Sequence, residues 1–395
     1  MEKITFVIPS RNNLEFLQLA YKSIRNLKTK HEILVLNDAS TDGTQEWIDK
    51  LNDKDLITYY NPGPERIGIV GMFDKGIEMA RTEIIFAFHS DMVAAPDLDK
   101  HILKHLEKGT VVSATRVEPP LHPDGPEKIL MDFGIEVEDF DYDKFCNWVK
   151  GPVDSTGGYQ PKHNKLVTEG IFAPWCMYKE DFLAVGGHDE LFAPQSKEDS
   201  DLVNRFILKG YKVLQTWEGL VYHFTSRGSR FNKHAGGGAG KNSEEWVYTT
   251  TKNMRNFIRK WGTPVRHDSL MKPIIAPKYD IGIILKANPN MEMLRILEPW
   301  CSTIYTDLDI LEYITLEQSY TSIDLKEKVL PYDNEKQNQI LVEVDIKMFN
   351  QQDFQYLTQL PDIIKDSGTV GEFQIGNLKI TIIALDTFEQ NLINN

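Results

Sequence analysis

Apolar and polar residues alternate with two different periods along the first part of the chain. Four short apolar runs predict β-strands: ITFVIPS, HEILVLND, LITYYN and EIIFAFHSD. Between them, apolar residues recur at helical spacing in LEFLQLAYKSIRNL, TQEWIDKLN and MFDKGIEMA, which predicts helices. Strands that alternate with helices predict an α/β fold, with a mostly parallel sheet covered by helices on both faces.

The middle of the chain is less regular. Residues 118–165 are rich in Pro, Gly and Asp and predict an irregular insertion. A helix around SDLVNRFILKG and a strand YKVLQTW follow, and then residues 226–245 contain the glycine-rich stretch HAGGGAGKN. A glycine-rich loop of this kind is typical of a flexible lid. We therefore assign residues 1–262 to one domain.

The last part of the chain predicts a second domain. The segment 263–278 contains several prolines and is interpreted as a linker. Residues 279–395 then contain strand and helix patterns and end in the hairpin GEFQIGNLKITIIAL. This pattern predicts a small α+β domain of ferredoxin-like type.

Composition restricts the class of protein and its partners. The chain has 395 residues and a net charge of -14. Residues 276–395 contain 9 basic and 19 acidic residues, which leaves 35 basic and 39 acidic residues in the first part. An acidic C-terminal part repels nucleic acid and anionic lipid, so we expect neither as a partner, although this part could form a homo-oligomer.

The cysteines, the apolar runs and the N-terminal residues predict where in the cell the protein is located. The three cysteines are widely separated and fit neither a disulfide framework nor a zinc site. No apolar run is long enough to span a membrane, and MEKITFVIPS is typical of a strand rather than a signal peptide. We therefore expect a cytoplasmic protein without a membrane span.

Polar clusters follow three of the predicted strands, namely Ser10-Arg11-Asn12, Asn37-Asp38 and His89-Ser90-Asp91. Ligands of parallel α/β sheets bind at the carboxyl ends of the strands. Asp38 can accept the N3–H of a uracil or thymine base, with the backbone near Pro9 and Arg11 completing the pocket. The same residue types also favour turns and helix caps, so both interpretations remain open here.

These stretches together resemble the family 2 glycosyltransferases of the Rossmann-like GT-A fold. The matching segments are VIPSRNN, VLNDASTDGT, GIVGMFDKG, IIFAFHSDMV and GGHDELFAPQSKEDSDLVNRFILKGYKV, in this order. The chain departs from the family pattern at Asn37 and His89, where Asp is usual, and at Asp74, where Asn is usual. The resemblance covers roughly residues 1–230 and leaves the C-terminal domain unassigned.

The resemblance implies a divalent metal, Mn²⁺ or Mg²⁺, bound to the diphosphate of a UDP-sugar. Asp91 is the candidate metal ligand, and His223 is assigned the same role by resemblance. His89 would either contact the donor or ligate the metal, and an imidazole tolerates Mn²⁺ better than Mg²⁺. The donor-binding candidates are Pro9, Ser10, Arg11, Asn12, Asp38, Arg66, Asp74, His89, Ser90, Arg227 and Arg230.

The resemblance also implies a catalytic base. In the family, the Asp of a Glu-Asp pair takes the proton of the acceptor hydroxyl. Asp199 is therefore the predicted base, and Glu198 is the alternative. The acidic residues here also suit the start of the helix DLVNRFILKG. Trp175 is the candidate for stacking on an acceptor sugar, although a core position is an equal alternative.

The predicted function is an inverting, metal-dependent glycosyltransferase acting on a glycan, a lipid-linked or a protein acceptor. A nucleotidyltransferase is one alternative, but it would require a glycine-rich loop where this chain has PSRNNLE. A catalytically inactive carbohydrate-binding or assembly protein is the other, because His89 replaces an expected Asp. The sequence names neither the sugar nor the acceptor.

Overall fold

The computed structural model describes residues 2–151, 158–161, 166–168 and 172–394. The chain divides into two compact units. The N-terminal unit contains Met1–Thr250 together with His267–Pro273, and the C-terminal unit contains Thr251–Arg266 and Ile274–Asn394. The segment predicted as a linker is therefore divided between the two units.

The N-terminal unit is built on a ten-stranded sheet. Its strands are β1 Ile4–Ser10, β2 Glu32–Asp38, β3 Leu56–Asn61, β4 Ile84–Ala87, β5 Met92–Ala94, β6 Thr110–Glu118, β7 Lys128–Leu130, β8 Leu166–Thr168, β9 Trp175–Tyr178 and β10 Lys212–His223. The order is β3-β2-β1-β4-β9-β6-β10-β5, with β7 beside β6 and β8 beside β10. Strands β1 to β4 are parallel, as are β6 and β10, while β9 runs antiparallel between β4 and β6.

Helices of this unit connect the strands. They are α1 Leu14–Arg25, α2 Thr44–Ile48, α3 Gly68–Met79, α4 Leu98–Leu103, α5 Tyr142–Lys150, α6 Lys179–Ala184, α7 Glu198–Leu208 and α8 Glu244–Trp261, the last continuing beyond Thr250. The parallel α/β prediction is confirmed by this order of strands and helices. The insertion at 118–165 is more regular than predicted, because it contains β7 and α5; its residues 152–157 and 162–165 lie outside the described residues.

Both faces of the sheet are buried, as the apolar runs indicate. Phe6 and Ile8 of β1 pack with Leu17 of α1 on one face. Val7 of the same strand packs with Phe73 of α3 on the opposite face, because successive side chains of a strand point to opposite faces. Because β1, β2 and β4 are parallel neighbours, their carboxyl ends share one edge of this sheet.

The C-terminal unit contains a six-stranded sheet with the order β13-β12-β11-β14-β16-β15. Its strands are β11 Ile281–Lys286, β12 Thr303–Thr306, β13 Val329–Pro331, β14 Ile340–Asp345, β15 Gly371–Ile375 and β16 Leu378–Ile382. Its helices are α9 Met291–Leu297, α10 Ile310–Glu317, α11 Leu325–Lys328, α12 Gln351–Thr358 and α13 Leu360–Ser367.

The ferredoxin-like prediction for this unit is wrong. Strands β11 to β14 are mutually parallel neighbours, and only the final hairpin is antiparallel. The physical reason is that a helical crossover returns the chain to the same end of the sheet after β11 and after β12. The sequence interpretation missed α10 and β13, and without them the strands were expected to pair as in a ferredoxin-like sheet.

Candidate active site

The loops that follow β1 and β2 are joined to each other at the sheet edge. The Asn12 side chain accepts a 2.7 Å hydrogen bond from the Thr41 backbone N–H, and the Asn12 N–H donates to Ser40 Oγ at 3.0 Å. The hydroxyl of Ser10 is buried, and among the described residues its Oγ has no hydrogen-bond partner. Of the predicted donor-binding residues, Asn12 therefore contacts Ser40 and Thr41 at this edge; its role in donor binding stays a prediction.

Asp38 holds the start of helix α3. One carboxylate oxygen accepts the backbone N–H of Gly68 at 2.8 Å, and the other accepts that of Ile67 at 2.9 Å. Asn61 of β3 donates to the second oxygen at 2.8 Å. Each carboxylate oxygen carries two lone pairs, so a base could use only those that these bonds leave.

A small polar cavity of about 90 Å³ lies beside the end of β1. It is lined by residues that include Arg11, Arg66, Ser229, Asn232 and Glu245. Arg66 forms an ion pair with Glu245, and burial lowers the pKa of its guanidinium despite that carboxylate. Asn232 donates to the backbone carbonyl of Asn12 at 3.2 Å, which connects the predicted lid segment to the strand end; closure of a lid stays a prediction.

Asp91 and His223 lie together at the carboxyl end of β10. His223 Nε2 is 3.6 Å from Asp91 Oδ2, and the same oxygen accepts the backbone N–H of Arg227 at 2.6 Å. On its other side, His223 Nδ1 is 2.8 Å from Glu118 Oε1. All three ionisable side chains are buried, which makes their mutual interaction stronger than it would be in water.

The electrostatic coupling in this cluster is visible in its pKa values. Burial by itself would lower the pKa of His223, but the carboxylates of Asp91 and Glu118 outweigh it and raise that pKa to about 9. Burial opposes the ionisation of Asp91, yet the His223 imidazole holds the pKa of Asp91 well below its usual range. The cluster therefore already favours a positive charge between two carboxylates.

The His89 side chain makes no hydrogen bond to Asp91, His223 or Glu118. Its ring packs against that of Phe73, with 5.6 Å between the ring centroids. Burial lowers the pKa of His89 to about 4, so the imidazole is neutral at neutral pH. The adjacent Ser90 accepts a 2.9 Å hydrogen bond from the Asn13 side chain. The strand that precedes these residues ends at Ala87, so they form a turn between β4 and β5.

Asp74 has a partner within the protein. Its carboxylate accepts the backbone N–H of His188 at 3.0 Å and lies 2.5 Å from His188 Nδ1. This pair connects α3 to the turn that precedes α7, which is a structural role. The donor contact predicted for Asp74 stays a prediction.

Asp199 and Glu198 form the first turn of α7. Ser196 and Lys197, just before them, have φ of 78° and 74°, a conformation that non-glycine residues adopt rarely and that is concentrated at functional sites. Glu198 Oε2 is buried and has no hydrogen-bond partner among the residues that the structure describes. Burial, assisted by the charge of Asp199, raises the pKa of Glu198 to about 8.

The two predicted arginines are engaged within the protein. The Arg227 side chain is buried and donates to the Ile135 carbonyl at 2.7 Å, so it reaches Asp91 through its backbone N–H instead. Arg230 donates to Asn242 at 2.6 Å and stacks over Trp246 at 4.4 Å. Neither guanidinium is arranged around Asp91 in this structure.

Trp175 belongs to the core. It lies in β9, is only 4% exposed and packs in the cluster that contains Phe206 and Val213. This burial favours the core position that the sequence left open as an equal alternative. Stacking of Trp175 on an acceptor sugar stays a prediction.

Part of this unit matches a known protein family. Residues 5–145 match the sequence model described as Glycosyl transferase family 2. The matched residues are a family 2 glycosyltransferase domain within the N-terminal unit.

Curated relatives match the same region. The poly-beta-1,6-N-acetyl-D-glucosamine synthase of Staphylococcus aureus is 23% identical over 120 residues, which is 30% of this chain and 29% of that protein. The aligned segment thus spans less than a third of the relative's length.

Three solved structures are similar at low identity. GalNAc-T7 with UDP, GalNAc and Mn²⁺ has 12% identity and a TM-score of 0.46, covering 66% of this chain and 51% of that one. The mannosyltransferase PcManGT from Pyrobaculum calidifontis with GDP-Man and Mn²⁺ has 17% identity and a TM-score of 0.42, covering 66% and 64%. TarS 1-349 of S. aureus with UDP has 14% identity and a TM-score of 0.39, covering 56% and 60%.

The sequence interpretation of the glycosyltransferase domain missed Glu118. It was treated as the first residue of an irregular insertion, whereas it is the last residue of β6 and contacts His223. The missed signal is the apolar run VVSATRV that precedes it, since a carboxylate at the end of a parallel strand is a site candidate by the rule applied to Asp91.

The pair Asp91 and His223 fits a divalent cation. An ion that forms two bonds of about 2.1 Å can join ligand atoms that are up to about 4.2 Å apart. His223 Nε2 and Asp91 Oδ2 are 3.6 Å apart. No three His, Cys, Asp or Glu side chains converge as ligands within the described part of the chain. A cation bound by two side chains needs further oxygen ligands, and Mg²⁺ typically takes these from substrate phosphates and water.

Within the described residues, no helix of either unit is both long and apolar enough to cross a membrane.

Proposed function

We propose that the glycosyltransferase domain transfers a sugar from a UDP-sugar to an acceptor hydroxyl in a metal-dependent, inverting reaction. The observation that carries the proposal is the approach of His223 Nε2 to Asp91 Oδ2, at 3.6 Å, in the unit whose residues 5–145 match family 2 glycosyltransferases. These two groups come from distant parts of the chain and meet buried at the sheet edge where α/β sheets bind ligands.

Donor binding is proposed for the loops that follow β1 and β2. Within the described part of the chain, the buried Ser10 Oγ has no hydrogen-bond partner, and buried polar groups normally have one. Arg11 and Arg66 line the small cavity beside it and carry the positive charge that suits a diphosphate. Asp38 would accept the base N3–H with the lone pairs left by its bonds to α3.

Asp91 and His223 would hold the cation, which when bound neutralises the negative charge that develops on the departing diphosphate. The backbone N–H groups of Arg227 and Gly228 fix Asp91 Oδ2 at 2.6 and 3.4 Å. Their role is to orient the carboxylate, because a ligand whose direction is fixed in advance needs no reorganisation during the reaction.

Asp199 is the proposed base. The acceptor oxygen attacks the anomeric carbon and gives its proton to the Asp199 carboxylate, while the bond from that carbon to the diphosphate oxygen breaks and its electron pair leaves with UDP. One displacement inverts the anomeric configuration. Glu198, with its pKa raised to about 8, is protonated at neutral pH and suits an acceptor contact better than proton removal.

The first experiment is calorimetric titration of UDP with and without Mn²⁺, followed by a hydrolysis screen of UDP-sugars and GDP-mannose. We expect UDP to bind tightly only with Mn²⁺, and Asp91→Asn to lose that dependence. The exposed Asp49→Asn is the matched control and should behave as the wild type. Metal-independent binding, or none, would contradict the proposed function.

The base assignment has its own test. Asp199→Asn should reduce turnover by about 10²- to 10⁴-fold while it binds UDP and Mn²⁺ as the wild type does. Retained turnover would exclude Asp199 as the base, and binding of UDP without turnover of any donor by the wild type would indicate an inactive binding protein.

A further inference from the structure

We propose that Glu118 is the positioning residue of His223, holding the imidazole so that Nε2 faces Asp91 and the cation between them. This inference rests on the proposed metal-dependent function. It concerns a residue that is neither a predicted ligand nor a predicted base.

The fold brings the two residues together through strand register. Strands β6 and β10 are parallel, and Val117 pairs with Tyr222. The next residue of each strand is Glu118 and His223, so both side chains leave the sheet at the same level. Glu118 Oε1 lies 2.8 Å from His223 Nδ1, and both residues are buried, 2% and 7% exposed. A buried contact of this length fixes the plane of the ring.

The opposite ring nitrogen, Nε2, faces Asp91 at 3.6 Å and the Ser226 backbone nitrogen at 3.3 Å. Once a cation takes the Nε2 lone pair, the remaining ring proton is on Nδ1, where it donates to Glu118. Thr225 and Ser226 adopt φ of 66° and 57°, a rare conformation that turns the Ser226 N–H back onto the ring. A histidine ligand whose other nitrogen donates to a carboxylate is the arrangement that orients metal-bound imidazoles.

Glu118 is itself held on both oxygens. Lys128 Nζ lies 3.0 Å from Oε2, and an Arg116 guanidinium nitrogen lies 3.4 Å from Oε1. These contacts fix the carboxylate and leave His223, not the cation, as its third partner. The competing interpretation is that Glu118 only neutralises buried Lys128, and the experiment must separate that role from positioning.

The experiment titrates Mn²⁺ alone into the full-length protein by calorimetry. Loss of an outer carboxylate typically weakens metal affinity by about 10- to 100-fold, so Glu118→Gln, which can still accept from Nδ1, should lie at the low end and Glu118→Ala at the high end. The matched control is Glu127→Gln, since Glu127 pairs with Arg116 at 3.3 Å and is not among the contacts of His223. We expect the control to bind Mn²⁺ within about twofold of the wild type, because the outer-carboxylate effect does not apply to it.

A double variant separates positioning from charge neutralisation. Glu118→Gln with Lys128→Met removes both buried charges together, so it should recover thermal stability lost in the single variant. The positioning role predicts that its Mn²⁺ affinity stays low. If affinity recovers with stability, or if folded Glu118→Gln binds Mn²⁺ as the wild type does, the inference is overturned. Absence of Mn²⁺ binding in the wild type itself would instead overturn the proposed metal dependence, and this inference with it.

Discussion

The carboxylate of Asp38, at the end of β2, accepts a 2.8 Å hydrogen bond from the backbone N–H of Gly68, the first residue of α3. Gly68 has a φ of 90°, and a side chain there would collide with Pro194. The contact between these two residues therefore fixes where α3 begins relative to the parallel strands. Asp38 consequently has a structural function in addition to any contact with a nucleotide base.

Replacing Asp38 should reduce stability as well as donor binding. Asp38→Ala leaves the buried N–H of Gly68 and the N–H of Ile67 without their acceptor, and a buried donor without a partner costs about 1–3 kcal/mol. We expect urea denaturation to show a loss of this size. Exposed Glu65→Ala is the control and should leave the free energy of unfolding unchanged; weaker UDP binding by Asp38→Ala at unaltered stability would limit Asp38 to base recognition.

Glu198 should make the stability of the protein depend on pH. Its pKa is raised from 4.5 to about 8 in the folded protein, chiefly by burial. Between these values the folded state holds a proton that the unfolded state has released, so stability falls as pH rises through this window. The glutamine of Glu198→Gln cannot ionise. The melting temperature of this variant should therefore fall less than that of the wild type between pH 5 and pH 9.

The comparison across pH needs a surface control. The variant Glu46→Gln, at an exposed position, should show the same dependence of melting temperature on pH as the wild type. An exposed carboxyl group is in contact with water in both the folded and the unfolded state. Parallel curves for the wild type and Glu198→Gln would show that Glu198 ionises normally in the folded protein.

The turn before α7 should depend on the buried ion pair of Asp201 and Arg205. The two groups are fully buried and joined at 2.8 Å, and Arg205 also donates to the Gly187 carbonyl at 2.7 Å. Removing one partner of such a pair leaves an uncompensated charge, which costs about 3–5 kcal/mol. We expect this loss in the unfolding free energy of Asp201→Ala, and a smaller loss than the sum of the single changes when Arg205→Met is added. Strict additivity would show that the two residues act independently.

Trp175 should affect stability and not acceptor use. Trp175→Ala removes a large buried side chain, which typically costs about 3–5 kcal/mol. Trp175→Phe keeps an aromatic ring in the core, so it should retain the donor hydrolysis and transfer rates of the wild type. If Trp175→Phe lost transfer but retained donor hydrolysis and melting temperature, that result would support contact of Trp175 with the acceptor.

The local pattern of the chain was sufficient to predict the strands β1 to β4, the helices between them and the class of the domain. These elements are encoded by neighbouring residues: apolar runs specify buried parallel strands, and helical spacing specifies the helices that cover them. Asp91, His223 and Asp199 are still candidates; His223 and Asp199 were proposed from the resemblance to family 2 glycosyltransferases, and Asp91 from its place after a predicted strand. The ferredoxin-like prediction was wrong because it depended on strand pairing, which local pattern does not encode.

Only the tertiary structure decided what those side chains contact. Asp74 meets His188, Trp175 enters the core and Glu118 reaches His223, in each case across a large separation along the chain. Such contacts depend on strand register and on which face of an element is buried, and a carboxylate looks the same in the sequence whether it binds a ligand or anchors a helix. The kinds of residue at the strand ends were determined by the sequence; their partners were determined by packing.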